Sequence, residues 1–344
     1  METQDVWLRE EPGPATLSQV MDEFEALARR GELGQFQPLP TGFMPLDDVL
    51  NGGIRPGELA ILAGPFGVGK TILALQLARN AVLADPNNKA LYVCYEHDRT
   101  HLLSRLICLE SAEHSNGEDS LTLRKLSKLA FSPLEAGGLI DRLRQDRRYT
   151  RLLADMADYA DRLVLARASG AYTTLQDIGR WVDDLRTPGT QHVMLVVDYL
   201  QKVPLGHEHF VDEAERTTML TQDLKEMALS KGIVVVAVAA ADRLGLKEPR
   251  MRLADLRGSS ALQYETDLGM VLNNKHDIVS REHLVYNLAD AEAMRGWVVL
   301  SIEKNRAGRN AVDMEYAMDA AHFRIVPEGT FVRERLIDGK AVLE

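Results

Sequence analysis

Gly64 to Thr71 reads GPFGVGKT and lies between an apolar run, Leu59 to Ala63, and the helix-patterned stretch ILALQLARNAVL. Strand, glycine loop, helix is the arrangement that cradles phosphate. Gly64, Gly67 and Gly69, with Pro65, Phe66 and Val68 between them, let backbone N–H groups turn inward around phosphate oxygens. Lys70 can reach the β and γ phosphates, and the Thr71 hydroxyl can ligate Mg²⁺. The helix that starts at the loop adds its positive dipole end. The loop predicts a site for a nucleoside triphosphate.

Such a loop needs acidic partners. VMLVVDYLQ, residues 193–201, is an apolar strand ending in Asp198, which puts that carboxylate at the carboxyl edge of the sheet, where ligands bind in open α/β folds. There it can serve the Mg²⁺ side of the site through coordinated water. ALYVCYEHD, residues 90–98, is a second such strand, and Glu96 at its end is the candidate base that orients an attacking water. Two histidine pairs offer less. His97 and His101, in HDRTH, would face one metal if helical, but no third ligand is near in sequence and the glutamate is not placed as in HExxH. His207 and His209 flank Glu208 in what reads as a solvated loop.

Elements must hold these residues in place. From Thr41 onward strand-like runs alternate with helical patterns: LAILAG, ALYVCYE, DRLVLA, VMLVVDYL, IVVVAVAAA, LGMVLN and WVVLSIEK. That alternation predicts an α/β fold with a mainly parallel, twisted sheet and helices on both faces. Residues 111–160 are helical and charged with no strand, and read as a helical insertion. Ahead of the sheet, Thr16 and Gln19 form a capping box and Gly31 a stop, so a helix is expected over about 17–29. Its Leu17, Val20, Met21, Phe24, Leu27 and Ala28 share one face, which must be buried on its own domain or on a neighbour. GQFQPLP follows as a linker. The expected division is an N-terminal segment, 1–40, and one domain over 41–344.

The 344 residues are 45% hydrophobic, ample for a buried core, and the net charge of -11 excludes a surface basic throughout while leaving room for a local basic channel. Cys94 and Cys108 both lie in apolar segments, as reduced, buried thiols would. METQDVWLREEPGPA has no charged-then-apolar signal pattern, and no run approaches the length of a membrane span. The expectation is a cytoplasmic protein without membrane contact.

TGFMPLDDVLNGG, the phosphate loop, Glu96 after its strand, DYLQ, DLRGSSALQYETD and EKNRAGR occur in the order and spacing of the C-terminal ATPase domain of DnaB-type replicative helicases. The chain resembles that family over residues 16 to about 325. The resemblance implies a RecA-like P-loop NTPase, with 41–344 as the ATPase domain and the helix at 17–29 as a linker helix packed on the adjacent protomer. It implies ATP hydrolysis with Mg²⁺, in which Lys70 and Thr71 hold phosphate and metal, Asp198 completes the metal site and Glu96 activates water. By residue type alone, KNR is a solvated turn after a strand. The resemblance makes Lys304 and Arg306 a lysine and an arginine finger entering a neighbouring subunit's ATP, so that hydrolysis requires a homo-oligomer, a hexameric ring in that family. It also implies single-stranded DNA in the ring's hole, along the loops at 203–215 and 244–260. There Lys247, Arg250, Arg252 and Arg257 would meet phosphates, with backbone amides near Gly258 and Ser260 adding to them. No aromatics interleave, so sequence-specific reading is not expected. A loader or a replication or repair partner is left open.

The chain departs from the family pattern in three ways. The Ser-Gln pair after the fourth strand, whose glutamine senses the γ-phosphate, reads AVAAADR here, with Ala240 at the glutamine position. Alanine cannot hydrogen-bond phosphate. The SLE triplet that carries the base is CYE, with Glu96 kept. The amino-terminal domain used for primase and collar contacts is expected to be absent, which points to an accessory, plasmid, phage-type or repair motor. The function expected is a DnaB-like DNA helicase. The alternative is a RadA- or KaiC-like ATP-gated DNA-binding or scaffolding ATPase that does not unwind, and a third reading is a nucleotide-binding subunit whose sites a different chain completes.

Overall fold

The computed structural model describes residues 13–115, 117–131, 137–205, 213–240, 250–256, 259–279 and 292–337. Thr16 caps α1 (Leu17–Arg29): its hydroxyl accepts the Gln19 N–H at 3.3 Å, the Gln19 side chain accepts the Thr16 N–H at 2.8 Å, and Gly31 follows at φ 72°. The expected helix and both of its boundary signals are present. No residue of α1 is buried, and Leu17 and Met21 are 76% and 63% exposed. Among the described residues its apolar face is covered only in part: the Phe24 ring lies 5.6 Å from that of Phe36, and Leu27 and Ala28 are partly buried.

The main body starts with α2 (Leu46–Val49), β1 (Leu59–Ala63), α3 (Lys70–Ala84) and β2 (Lys89–Cys94). Helices α4 (Arg99–His114), α5 (Leu123–Ala130), α6 (Leu139–Gln145) and α7 (Thr150–Tyr159) come next, followed by β3 (Leu163–Arg167), α8 (Leu175–Leu185) and β4 (Val193–Asp198). Then come α9 (Glu213–Lys231), β5 (Val234–Val238), α10 (Ser259–Glu265), β6 (Leu268–Asn274) and α11 (Lys275–Ile278). The described chain closes with β7 (Trp297–Asn305), β8 (Val312–Asp319), β9 (Arg324–Ile325) and β10 (Thr330–Phe331).

All strands join one 10-stranded sheet in the order β10-β8-β7-β6-β1-β5-β4-β2-β3, with β9 on β8. The strands from β6 to β3 in that order are parallel, and β7, β8 and β10 are antiparallel. Every strand-like run noted above is a strand, whereas β8, β9 and β10 were not foreseen. Strands β1, β4 and β5 are buried along their whole length, as parallel strands covered on both faces must be. On one face Leu73, Leu77 and Ala81 of α3 share a core with Leu62, Tyr92 and Val196. On the other, Ile178 of α8 and Leu220 and Leu224 of α9 share a core with Ile61, Val93 and Leu195. Helices α4 to α7 close a smaller core around Ile107, Cys108, Leu126, Leu143 and Tyr149. Cys94 and Cys108 are buried free thiols. No described helix is long and apolar enough to cross a membrane.

One buried charge ties the helix that follows the glycine loop to the small core. Glu110 on α4 accepts from Arg79 Nε of α3 at 2.8 Å and Arg79 Nη2 at 2.7 Å, and from the Tyr159 hydroxyl of α7 at 2.6 Å. Its side chain is 1% exposed and that of Arg79 is 14%. Removing one partner of such a pair strands the other charge. Glu110→Ala is therefore expected to lower the unfolding free energy by about 3–5 kcal/mol, while Glu25→Ala, at the exposed pair with Arg29, changes it by less than about 1 kcal/mol. Urea denaturation followed by circular dichroism measures both.

Candidate nucleotide site

The glycine loop joins β1 to α3, and Gly69 stands at the N-cap of α3 with φ 104°. No side chain caps that end, whereas Asp98 caps α4 and Thr174 caps α8. The first N–H groups of α3 are thus left for an anion, at the positive end of its dipole. At Gly64 the loop passes so close to β6 that a Cβ would run into the carbonyl oxygen of Leu272. Lys70 Nζ donates to the carbonyls of Gly64 at 2.7 Å and Pro65 at 2.8 Å. Burial pushes its pKa down, and the charges of Asp198 and Glu96 oppose that shift.

The two acids come from neighbouring strands. β2 and β4 pair in parallel with Cys94 beside Asp198, so both strands end at one edge, and Glu96 follows just beyond β2. Asp198 is 2% exposed, and its Oδ2 accepts a hydrogen bond from the Tyr92 hydroxyl at 2.7 Å. The Asp198–Tyr199 peptide is cis. A cavity of about 270 Å³ brings together Phe66, Lys70, Thr71, Glu96, Asp198 and Ala240. Gln201 brackets Ala240 from the side: its Oε1 accepts the Ala240 N–H at 3.1 Å and its Nε2 donates to the Ala240 carbonyl at 3.3 Å.

Sequence reasoning missed two further residues of this cavity, Arg105 and Phe323, and did not assign His97 to it. The Arg105 guanidinium sits 5.1 Å from the centre of the Phe323 ring, and its Nη2 is 3.2 Å from His97 Nε2. The His97 and His101 rings stack with centroids 4.5 Å apart, and burial with the Arg105 charge pushes the His101 pKa down. The four-residue spacing of positions 97, 101 and 105 was a readable signal that they share a face. No group of three or more side chains able to hold a metal occurs among the described residues.

Lys304 and Arg306 are not brought to this cavity. β7 runs antiparallel to β6, so its end lies at the start of β6, beside the start of β1. The loop leaves the other end of β1, ~13 Å of strand away. Arg306 Nη1 donates to Asp267 Oδ1 at 3.1 Å, and Asp267 Oδ2 takes the Leu59 N–H at 2.8 Å and Lys225 Nζ at 2.7 Å. Arg306 also donates to the Tyr264 carbonyl, and Lys304 Nζ to the carbonyls of Gln263 and, at 3.1 Å, Tyr264. Burial and the neighbouring Arg306 charge push the Lys304 pKa down.

The nucleic-acid expectation needs correction at Arg250. Its side chain is only 4% exposed, with Nη2 donating to Asp313 Oδ1 at 2.6 Å and Ser301 Oγ at 3.2 Å, so this guanidinium serves the sheet instead of a bound phosphate. Arg252 is half-buried and pairs with Glu303 at 3.1 Å. Ser260 lies in α10. Lys247, Arg257 and Gly258, like His207, Glu208 and His209, lie outside the described residues.

The family described as the DnaB-like helicase C-terminal domain matches residues 38–325. Replicative DNA helicase DnaB of Mycoplasma genitalium is 27% identical over 315 residues, which cover 89% of this chain and 60% of that protein. The chain thus spans less than two thirds of that relative's length. DNA repair protein RadA of Mycobacterium tuberculosis is 48% identical over 60 residues, 17% of this chain and 12% of that protein. Among solved structures, the ATPase domain of G40P matches with a TM-score of 0.68 at 18% identity, covering 91% of this chain and 99% of that one, which shows a common fold.

Gly64→Ala forces the loop away from the Leu272 carbonyl and with it the carbonyl that holds Lys70. The expected result is a loss of nucleotide affinity of about tenfold or more together with a lower melting temperature, corresponding to roughly 1–3 kcal/mol of strain. Titration with a fluorescent ATP analogue and a thermal melt measure the two. Unchanged affinity would contradict the role given to the loop.

Proposed function

Since the chain belongs to the DnaB-like helicase C-terminal domain family, we propose that it is an ATP-dependent DNA helicase that works as a ring of identical subunits and moves on single-stranded DNA. One observation carries this reading. The loop, Asp198 and Glu96 share a cavity, while Lys304 and Arg306 stand at the opposite end of β1. A site so divided is completed only when a second copy presents its Lys304 and Arg306 to the first copy's phosphates.

Thr71 and Asp198 offer the oxygen donors a hard cation takes, on the same cavity as Lys70, so these residues fit Mg²⁺. Held there, Mg²⁺ would supply positive charge that neutralises the phosphates. Lys70 exchanges the carbonyls of Gly64 and Pro65 for phosphate oxygens, and the uncapped start of α3 adds backbone donors. Glu96, exposed at the cavity, orients the attacking water and takes its proton. The neighbour's Arg306 gives up Asp267 and the Tyr264 carbonyl and neutralises charge growing on the transferred phosphoryl group. In this reading 1–40 is the linker segment, 41–344 the motor domain, and the exposed face of α1 packs on the next subunit. DNA phosphates meet the segment that contains Lys247 and Arg257 and the start of α10, with Arg252 contributing if it leaves Glu303.

A second reading, a RadA-like ATPase that holds DNA without unwinding it, is favoured by Ala240, which lines the cavity with no side-chain group able to bond phosphate, and by the short RadA match. ATP-driven displacement of one strand from a forked duplex supports the helicase. DNA retention and turnover without displacement supports the second reading.

Glu96→Gln and Arg306→Ala are each expected to lower ATP turnover about 10³-fold or more while leaving ATP binding in place. Mixing the two proteins should restore turnover well above either alone, because some interfaces then pair an intact Glu96 with an intact Arg306. A mixture no faster than its components would count against sites shared between subunits.

A further inference from the structure

The pairing of β2 with β4 sets Tyr92 beside Val196 and Cys94 beside Asp198. Residues two apart on a strand share a face, so Tyr92 lies diagonally across from Asp198 and within reach of it. Its hydroxyl donates to Asp198 Oδ2 at 2.7 Å. The Tyr92 ring is fully buried in the core that holds Leu62, Leu73, Leu77 and Val196. With only two side-chain torsions and packing on all sides, it holds its hydroxyl rigidly. Lys70, a cation lining the same cavity, donates to the carbonyls of Gly64 and Pro65. Among the described residues, the Tyr92 hydroxyl is therefore the group that sets how the Asp198 carboxylate is turned.

We infer that Tyr92 is a positioning residue for magnesium at the nucleotide site: by occupying Oδ2 it fixes the rotation of the Asp198 carboxylate and keeps Oδ1 available to the metal's water shell. The inference rests on Asp198 being the metal-side acid. A neutral donor suits that task better than a lysine or arginine, because it orients the carboxylate without cancelling the charge that attracts the cation. A phenol ordinarily titrates at about 10, so it remains a donor throughout the physiological range. The tyrosine stands inside an otherwise apolar strand run, KALYVC, which is why neither charge nor motif drew attention to it.

The test is the gain in nucleotide affinity that magnesium brings, read as the ratio of dissociation constants for a fluorescent, non-hydrolysable ATP analogue in EDTA and in Mg²⁺. Tyr92→Phe removes the hydroxyl and keeps the ring. Tyr92→Met fills the space with a different apolar shape and gives a second reading if the first variant folds poorly. Thermal melts report folding. Both variants are expected to keep the affinity seen in EDTA and to lose about tenfold of the magnesium gain. In an Asp198→Asn background Tyr92→Phe should cost nothing further, because the hydroxyl acts through that carboxylate. A full magnesium gain in Tyr92→Phe and Tyr92→Met, beside a lost gain in Asp198→Asn, overturns the role of Tyr92 and leaves Asp198 as the metal-side acid. A full gain in Asp198→Asn overturns both assignments. A lowered melting temperature with an unchanged gain in either tyrosine variant reduces Tyr92 to packing and overturns the inference.

Discussion

Strand direction governs how this molecule is arranged. The parallel strands β1, β2 and β4 all end at one edge, so the glycine loop, Glu96 and Asp198 arrive at the same cavity without any long-range adjustment. β7 is antiparallel to β6, so the same sheet carries Lys304 and Arg306 to the other edge. Both placements follow from strand direction: parallel neighbours carry their carboxyl ends to one edge, and an antiparallel strand carries its own to the other. The separation of the glycine loop, Glu96 and Asp198 from Lys304 and Arg306 is thus built into the sheet.

Asp267 anchors the edge opposite the glycine loop. Its buried carboxylate takes the Leu59 N–H at the start of β1, Lys225 of α9 and Arg306 after β7. The far end of β1 is the glycine loop. Strand β1 separates the carboxylate that Arg306 rests on from the glycine loop. At the loop's own edge, Gln201 ties Ala240 to the segment after β4 through a pair of amide hydrogen bonds. That bracket spans the position where the DnaB-type pattern has a glutamine, and it joins the chain leaving β4 to the chain leaving β5.

The parts legible in the sequence were those encoded locally. GPFGVGKT, the strand-closing Asp198, Glu96 and the Thr16–Gln19 cap depend on neighbours a few residues away, and all lie where the spacing put them. β8 was missed although VDMEYAMD alternates apolar and polar residues, the pattern of a strand with one buried face, and Val312, Met314 and Tyr316 turn inward. Arg250 was misread because nothing near it in the chain announces Asp313, its partner across the sheet. A charge count sees a basic loop where the fold has a buried ion pair. Tyr92 and Phe323 were invisible for the same reason: what each does is decided by the element packed against it, not by its own neighbours.

The central claim is that an active site exists only between two copies of this chain. The most direct measurement is steady-state ATP hydrolysis per chain across a wide range of protein concentration, with and without single-stranded DNA, with size measured at each concentration. The account predicts a rate per chain that is near zero where the protein is monomeric, rises as copies assemble, and rises further with DNA. A rate per chain that stays constant down to concentrations where only monomer is present would contradict it.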